Sequence, residues 1–492
     1  MNTHLLSKSS FIRGIQCEKH LYLYKYHYDE MDEISEMQKA IFKRGIEVGK
    51  LAQQLFPGGV DLSPESHSDY EQSLIRTKEC LTSSQTVIYE AAFQTDEVLS
   101  VADILLNEND GLKIYEVKSS TSVTDVYLID AALQYWVITK SGYKVKDFSI
   151  IYINNQYVRF GELDLNQLFK VESVLDEIIP MQSRIEENII RLKNVLKQNE
   201  IPNIDIGEHC YSPYICGFYN YCRKHIPENS VFELSGVHLN EKYELYRQGI
   251  ISIDDISDDF KLPRSVKIQV DVFKNGKELI DTEGIKNFLK DINYPVYFMD
   301  FETFQPAVPM FDNSRPYMQI PFQYSLHYLK NKEAELIHYE FLADATGDPR
   351  VPFIENLLRD LDEQGDILVY NKSFEIKRLN ELAEAFPQYK EKIQKVILRI
   401  KDLITPFQKK FYYTNEMKGS YSIKYVLPAL VPELNYSDLE INEGGLASLT
   451  FESLFGEKDL EIINNKRKNL LEYCKLDTFA MVKILEKLEN IL

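Results

Sequence analysis

Nothing in this 492-residue chain approaches the ~20 consecutive apolar residues that a membrane-spanning helix needs, so no membrane partner is expected. The first ten residues, Met1 to Ser10, lack the basic-then-apolar layout of a secretion signal. A cytoplasmic protein with reduced thiols is the expectation. The chain has no internal repeat and no low-complexity tract, which argues against solenoids and long disordered tails. Positive charge is also in deficit: 56 Lys and Arg face 76 Asp and Glu, for a net charge of −20. Proteins that coat DNA non-specifically are basic, so that class is disfavoured. A nuclease is not, because its active site collects carboxylates.

What is present reads as globular α/β protein. Apolar residues make up 44% and charged residues 27%, which is ordinary for a soluble fold, and the length calls for two or three domains. The 32 Tyr and 26 Phe are mostly core material, with some available to stack on unpaired bases. Hydrophobic periodicity predicts two amphipathic helices within residues 1–60, the second over 36–56 and stopped by Pro57-Gly58-Gly59. Apolar runs at 86–93, 98–106, 112–118 and 148–153, with a helix near 124–139, predict a mixed sheet with a helical crossover. A long helix over 165–198, broken at Pro180, follows. The expected domains are 1–225, a helical connector over 226–290, and a second α/β unit over 291–492. Strands near 296–301, 322–328 and 367–370 open that last unit, and helices complete it.

The second unit carries the sharpest chemical signal. Tyr297-Phe298-Met299-Asp300-Phe301-Glu302-Thr303 is an apolar strand ending in two acids one residue apart. Side chains alternate along a strand, so Asp300 and Glu302 share a face. Their mutual repulsion raises both pKa values unless a cation sits between them, and hard Mg²⁺ takes such oxygens. Alone, Asp-x-Glu is a common surface pair. Downstream, Asp366 to Asn371 is a strand leading into a helix that delivers Glu375, and a late helix carries Tyr473 and Asp477 at i and i+4. Taken singly, Glu375 could be an acid favoured by a helix dipole, Tyr473 a core tyrosine, and Asp402 a helix-start residue. As an ordered set, Asp-x-Glu, Asn-x-x-x-acid and Tyr-x-x-x-Asp resemble the DnaQ-like 3′–5′ exonucleases of the RNase H-like fold, in the DEDDy branch, over 294–490. That resemblance implies that Asp300, Glu302, Glu375 and Asp477 hold two Mg²⁺ or Mn²⁺ ions, and that Tyr473 orients or helps deprotonate the attacking water. Glu375 stands where that family usually has Asp, and its extra methylene moves the ligand outward.

In the first unit, Val101-Ala102-Asp103-Ile104 precedes Ile114-Tyr115-Glu116-Val117-Lys118. Glu116 and Lys118 alternate onto one face, with Asp103 on the strand before. Two acids can bind Mg²⁺ while the lysine lowers the pKa of a water or supports developing phosphorane charge. An isolated Glu-x-Lys is usually an exposed ion-paired edge. Here apolar strands flank it, and Asp130 and Gln134-Tyr135 follow on a helix. The set resembles the PD-(D/E)XK nucleases of the RecB-like group, over about 5–225, which implies catalytic roles for Asp103, Glu116, Lys118 and Gln134. Phe42 to Gly49 resembles their first motif without its usual His, for which Glu47 or Glu90 would stand in.

Six cysteines occur: Cys17, Cys80, Cys210, Cys216, Cys222 and Cys474. Three of them are separated by five residues each, which is not the Cys-x-x-Cys of zinc ribbons, and in a reducing compartment clustering favours metal over disulfides. One cysteine before the nuclease sheet and three after it resembles the iron–sulfur staple of CRISPR-associated RecB-like exonucleases and AddB-type nucleases. Cys17, Cys210, Cys216 and Cys222 would then ligate a [4Fe–4S] cluster, with Zn²⁺ as the alternative. Cys80 and Cys474 read as buried thiols. The whole chain resembles bacterial fusions of two such nucleases, acting on DNA with RNA left open. The competing expectations are that one centre alone works, or that both folds are scaffold for a non-catalytic nucleic-acid-binding protein.

Overall fold

The computed structural model describes residues 5–64, 70–83 and 85–492. The chain divides into two compact units, Met1–His225 with Ala307–Tyr317, and Ile226–Pro306 with Met318–Leu492. Both are mixed α/β, each around its own mixed sheet. Among the described residues no helix is long and apolar enough to cross a membrane.

The first unit contains β1 (Leu6–Ser7), β2 (Val60–Asp61), β3 (Val87–Thr95), β4 (Val98–Glu108), β5 (Gly111–Lys118), β6 (Val145–Ile153) and β7 (Phe169–Ser173). They lie in the order β2-β3-β4-β5-β6-β7, with β1 pairing parallel to the start of β4. Strands β3, β4 and β5 are an antiparallel meander, while β6 runs parallel to β5. Parallel neighbours need a crossover, and the helix Asp125–Lys140 supplies it. Its Ala131, Leu133, Trp136 and Val137 bury against Ile88, Ala102, Ile114 and Ile150 of the sheet. Each large aliphatic side chain so covered contributes about 1.5–3 kcal/mol. The stretch Ala307–Tyr317 belongs here too, held by Arg159 Nη1, which donates to the carbonyls of Pro309 and Met310 at 3.0 Å each.

Two expectations for this unit need correction. Three helices, not two, lie within residues 1–60: Lys8–Gln16, Glu18–Tyr26 and Glu36–Gln53. The first two are separated because Cys17 is extended (φ −164°, ψ 126°), and a Ser35–Gln38 capping box starts the third. The long helix over 165–198 contracts to Gln182–Leu196. Phe169–Ser173 instead pairs with β6, whose edge would otherwise leave backbone groups unbonded, and that pairing overrides helix propensity.

The second unit contains β8 (Leu279–Ile280), β9 (Val296–Phe304), β10 (Ile320–Leu329), β11 (Ile337–Leu342), β12 (Asp366–Val369), β13 (Ile400–Asp402) and β14 (Tyr412–Tyr413), which pairs with β8. The main sheet has the order β11-β10-β9-β12-β13; β9, β10 and β11 are antiparallel, and β12 and β13 run parallel to β9. Alternation along β9 sends Tyr297, Met299 and Phe301 to a core with Phe353, Leu357 and Leu379. Asp300 and Glu302 therefore face the other way. Strands β11 and β13 were not expected from sequence, because one is an edge with partly exposed apolar residues and the other spans three residues.

Asp402 ends β13 and does not start a helix. Its carboxylate accepts from the Asn371 and Lys372 amides at 3.0 Å each, capping the helix Lys372–Ala385 from a neighbouring strand. The segment 226–290, expected as a connector, packs within the second unit. It closes a core of Val231, Leu234, Leu245, Val266 and Val270. Its Gln269 exchanges hydrogen bonds with the Ser235 backbone at 2.8 and 2.9 Å. Gly419 sits against this amide at φ +74°, where an added Cβ would come within 2.3 Å of Gln269 Oε1, so only glycine fits.

The C-terminal helix Leu460–Asn490 lies on the β9–β10 face, fixed by a line of polar residues at alternate positions of β10. Gln323 Nε2 donates to the Leu470 carbonyl at 2.8 Å, and Ser325 Oγ and His327 Nδ1 meet Thr478 Oγ1 at 2.7 and 2.8 Å. Thr478→Val removes the partner of His327 Nδ1 in a buried site and one of two partners of Ser325 Oγ, which keeps His338 Nε2 at 3.0 Å. It should lower the unfolding free energy by roughly 1–3 kcal/mol, as measured by urea titration.

Candidate functional site

The helix docking brings Asp477 to the strand acids. Ligand oxygens of Asp300, Glu302 and Asp477 all lie within 4.8 Å of one another, and this is the one such group of Asp, Glu, His or Cys among the described residues. The register puts Asp300 opposite Ser325 and Glu302 opposite Gln323, so acids and docking residues share one face. Tyr473, one turn before Asp477, is buried beside them. Gly444 abuts the group: a Cβ there would lie 3.6 Å from Glu302 Oε2 and 3.9 Å from Tyr473 Oη. The acids and Tyr473 open onto a cavity of ≈ 580 Å³, also walled by Tyr370, Tyr421 and Lys424.

Burial pushes the Asp300 and Glu302 carboxyls well up, and the neighbouring Asp477 carboxylate adds to both. Burial raises Asp477 itself to about 6, restrained by a hydrogen bond from Tyr436 Oη to its Oδ1 at 2.6 Å and by the Lys424 ammonium. Cys474 Sγ donates to Asp300 Oδ2 at 3.7 Å from a fully buried position. Burial, and then the surrounding carboxylates, push the Tyr473 phenol far up, so it stays a neutral hydrogen-bonding group. Two buried acids and one half-buried acid with so little counter-charge are a group that could hold a cation.

Glu375 stands apart from that group. It occupies the first turn of Lys372–Ala385, is 2% exposed, and its Oε2 has no hydrogen-bond partner among the described residues. Burial raises it to about 8. It still adds to the upward push on Asp300 and Glu302, so it is electrostatically part of the site.

Sequence reasoning missed Tyr436 and Lys424. Lys424 Nζ donates to the Asn442 carbonyl at 2.6 Å and sits 5.7 Å from the ring centroids of both Tyr436 and Tyr473. Neither residue belongs to a spaced motif; both come from loops and helices brought in by the fold, and no local signal marks them.

In the first unit, Glu90, Asp103 and Glu116 occupy one row across β3, β4 and β5, between the registered pairs Tyr89–Ile104, Ala91–Ala102 and Ile104–Tyr115. Glu116 Oε1 accepts from Lys118 Nζ at 2.7 Å and from Lys8 Nζ at 2.6 Å, and its Oε2 accepts from Gln134 Nε2 at 2.7 Å. Lys118 also reaches Asp130 Oδ2 at 2.6 Å. Asp130 and Gln134 are i and i+4 on the buried face of the crossover helix, which is why both arrive together. Against burial, the two ammoniums hold Glu116 down to about 2. Burial and Glu116 raise Asp103 to about 7, although it accepts from the Val117 amide at 2.6 Å. Burial and Asp103 raise Glu90, at φ 55°, to about 8. Glu90 therefore stands beside Asp103, whereas Glu47 does not join the site. It is exposed on the helix Glu36–Gln53, 3.8 Å from Lys43, because its helix face points to solvent. Lys8 was not expected here.

Cys17, Cys210, Cys216 and Cys222 line one small cavity of ≈ 10 Å³, with His20 and His209. Gln16 Nε2 donates to the His209 and Tyr214 carbonyls at 2.9 and 2.7 Å, and Lys19 Nζ to the Ile204 carbonyl at 3.2 Å. Those bonds bring Cys17 to the later loop. No three of these sulfurs fall within 4.8 Å of one another among the described residues. Burial raises all four thiols, Cys216 to about 12. Cys80, by contrast with Cys474, is partly exposed.

These shifts have a sign. Glu90, Asp103, Glu375 and Asp477 all have folded values above their ordinary range, so the folded state holds more protons than the unfolded one. Stability of the EDTA-treated protein should fall as pH rises from about 4 to about 8. Glu116 acts in a separate window: its contribution is lost only as pH falls from its ordinary value towards about 2. Denaturant midpoints across that range check the slope, and Glu375→Gln should flatten it.

A family model described as a domain of unknown function, DUF2779, matches residues 297–422, which include Asp300, Glu302 and Glu375 and end before Tyr473 and Asp477. The chain is similar to the uncharacterized protein UU173 of Ureaplasma parvum serovar 3, at 30% identity over 239 residues, 43% of this chain and 34% of that one. It is similar to the uncharacterized MG366 homolog of Mycoplasma pneumoniae, at 30% over 208 residues, covering 38% and 31%. The uncharacterized protein MG366 of Mycoplasma genitalium matches at 22% over 411 residues, covering 73% and 61%. The matched part is thus under two thirds of each relative's length.

Proposed function

We propose that the chain is a metal-dependent nuclease that hydrolyses phosphodiester bonds of DNA, with RNA as the other candidate substrate. The observation that carries this reading is the convergence of Asp300, Glu302 and Asp477 on a cavity of nucleotide size. Supporting it, three antiparallel strands followed by two parallel ones, with the first strand central, resemble the RNase H-like fold of DnaQ-like 3′–5′ exonucleases. Mg²⁺ or Mn²⁺, when bound, supplies charge that stabilises the entering and departing oxygens of an in-line displacement. Asp300, Glu302 and Asp477 would hold it, with Glu375 a more distant ligand. Tyr473, kept neutral, orients the attacking water by hydrogen bonding. Tyr370 and Tyr421 at the cavity wall offer faces for the terminal bases.

In the same reading the first unit is a RecB-like PD-(D/E)XK centre, supported by the Glu90–Asp103–Glu116 row with Lys118 and Gln134. The four cysteines that line one pocket would hold a [4Fe–4S] cluster, with Zn²⁺ as the alternative. The cluster would crosslink the N-terminal helices to the loop after the sheet, a structural role. A second reading, with only one working centre, is favoured by the separation of Glu375 from the acidic group.

End-labelled single-stranded DNA and RNA digested with Mn²⁺ test this. Asp300→Ala should reduce shortening from the 3′ end by on the order of a hundredfold or more, since even outer partners of a metal site are worth 10–100-fold. Lys118→Ala should remove the remaining cleavage. Absence of any cleavage by the unmodified chain would favour a binding protein. Anaerobically purified protein should be coloured and contain iron, and Cys216→Ser should lose both; a colourless, zinc-loaded sample rejects the cluster.

A further inference from the structure

The cations bordering the cavity of the first unit, Lys8 and Lys25, do not include the one its Glu-x-Lys motif names. Lys118 is sunk between Glu116 and Asp130 at 2.7 and 2.6 Å, its side chain 17% exposed. An ammonium has three donors, and two of these are spent on buried carboxylates, while the Tyr127 ring lies 5.1 Å away. Lys8 is 30% exposed and borders a cavity of ≈ 680 Å³, together with Tyr24, Lys25, Tyr28, Glu90 and Asp103. Only one of its carboxylate contacts is close, Glu116 Oε1 at 2.6 Å; Asp130 Oδ2 is at 3.8 Å.

The seat of Lys8 is built rather than incidental. Strand β1 pairs Leu6 with Val98 and Ser7 with Leu99, on the strand that carries Asp103 five residues later. Leu6 is fully buried. Ser7 and Ser10 form a capping box that starts the helix at Lys8. Backbone pairing and cap together hold the Lys8 stem beside the acidic row, with its ammonium bonded to Glu116 at the cavity border.

We propose that Lys8 is the substrate-binding cation of the first centre, taking a non-bridging oxygen of the scissile phosphodiester, and that Lys118 is a positioning residue for Glu116 and Asp130. This rests on reading the first unit as a phosphodiester-cleaving site. The anionic phosphate must approach a row of carboxylates, and Lys8 supplies the positive charge on the cavity side that makes this approach favourable. Lys118 instead neutralises the buried pair and keeps Glu116 aimed at the row.

The test uses the full chain carrying Asp300→Ala throughout, so that the second centre does not cleave. Binding of a short fluorescein-labelled single-stranded oligonucleotide is measured in EDTA over a salt series, and cleavage in Mn²⁺ with Glu116→Gln as the control. Lys8→Met should weaken binding roughly tenfold and lower the slope of log affinity against log salt by about 0.7, the value of one phosphate contact on a single strand. Lys8→Gln, which keeps a donor for Glu116 without the charge, should do the same, and Lys8→Arg should restore both. In Mn²⁺ the Lys8→Met change should raise KM more than it lowers kcat. Lys118→Met should leave the salt slope unchanged and lower the thermal midpoint. An unchanged slope and affinity in folded Lys8→Met and Lys8→Gln overturns the assignment, whatever the cleavage result. A Lys8-dependent slope without Glu116-dependent cleavage sustains Lys8 as the phosphate ligand and overturns the nuclease reading of this unit instead.

Discussion

Crowding of like charge in a half-buried pocket is the constraint around which the second unit is organised. Asp300, Glu302 and Asp477 repel one another, burial removes their hydration, and Lys424 with Tyr436 compensates only part. The arrangement persists because packing elsewhere over-determines it. The Gln323, Ser325 and His327 line fixes the C-terminal helix on the sheet, and the Phe304, Phe322 and Phe451 rings lock the helix Gly444–Glu452 beside it, the latter two stacked at 3.9 Å. Holding three carboxyls together in this way costs folding stability.

The first unit meets the same difficulty with a different solution. Its acids are matched internally by Lys8 and Lys118, so Glu116 stays ionised while Asp103 and Glu90 are pushed up. Two acids with raised values beside one held low is the divided environment that active sites use to assign distinct roles to similar groups. The crossover helix matters as much as the strands. Its two polar residues, Asp130 and Gln134, interrupt an otherwise apolar buried face, and both end on the Glu116–Lys118 pair.

Much of this was legible because strand and helix periodicities are short-range. Asp300 with Glu302, Glu116 with Lys118, and Tyr473 with Asp477 each lie within one strand repeat or one helical turn, so their shared faces follow from local geometry. Strands β3 to β6 and β9 were anticipated for the same reason. Strand β7 was not, since a short polar edge acquires its conformation from the neighbour it pairs with. The helix break at Cys17, the strand position of Asp402 and the exposure of Glu47 likewise depend on partners distant in the chain.

By itself the sequence determined which residues could act together within one element, the α/β class, and the acidic and thiol-bearing segments to watch. Tertiary structure alone decided which of those segments meet. It separated Glu375 from the Asp300–Glu302–Asp477 group, chose Glu90 over Glu47, and introduced Lys8, Lys424 and Tyr436. The physical reason is that a side chain's direction is set within a few residues of backbone. Its distance from a group a hundred residues away is set by strand register, helix docking and the burial that rewards them.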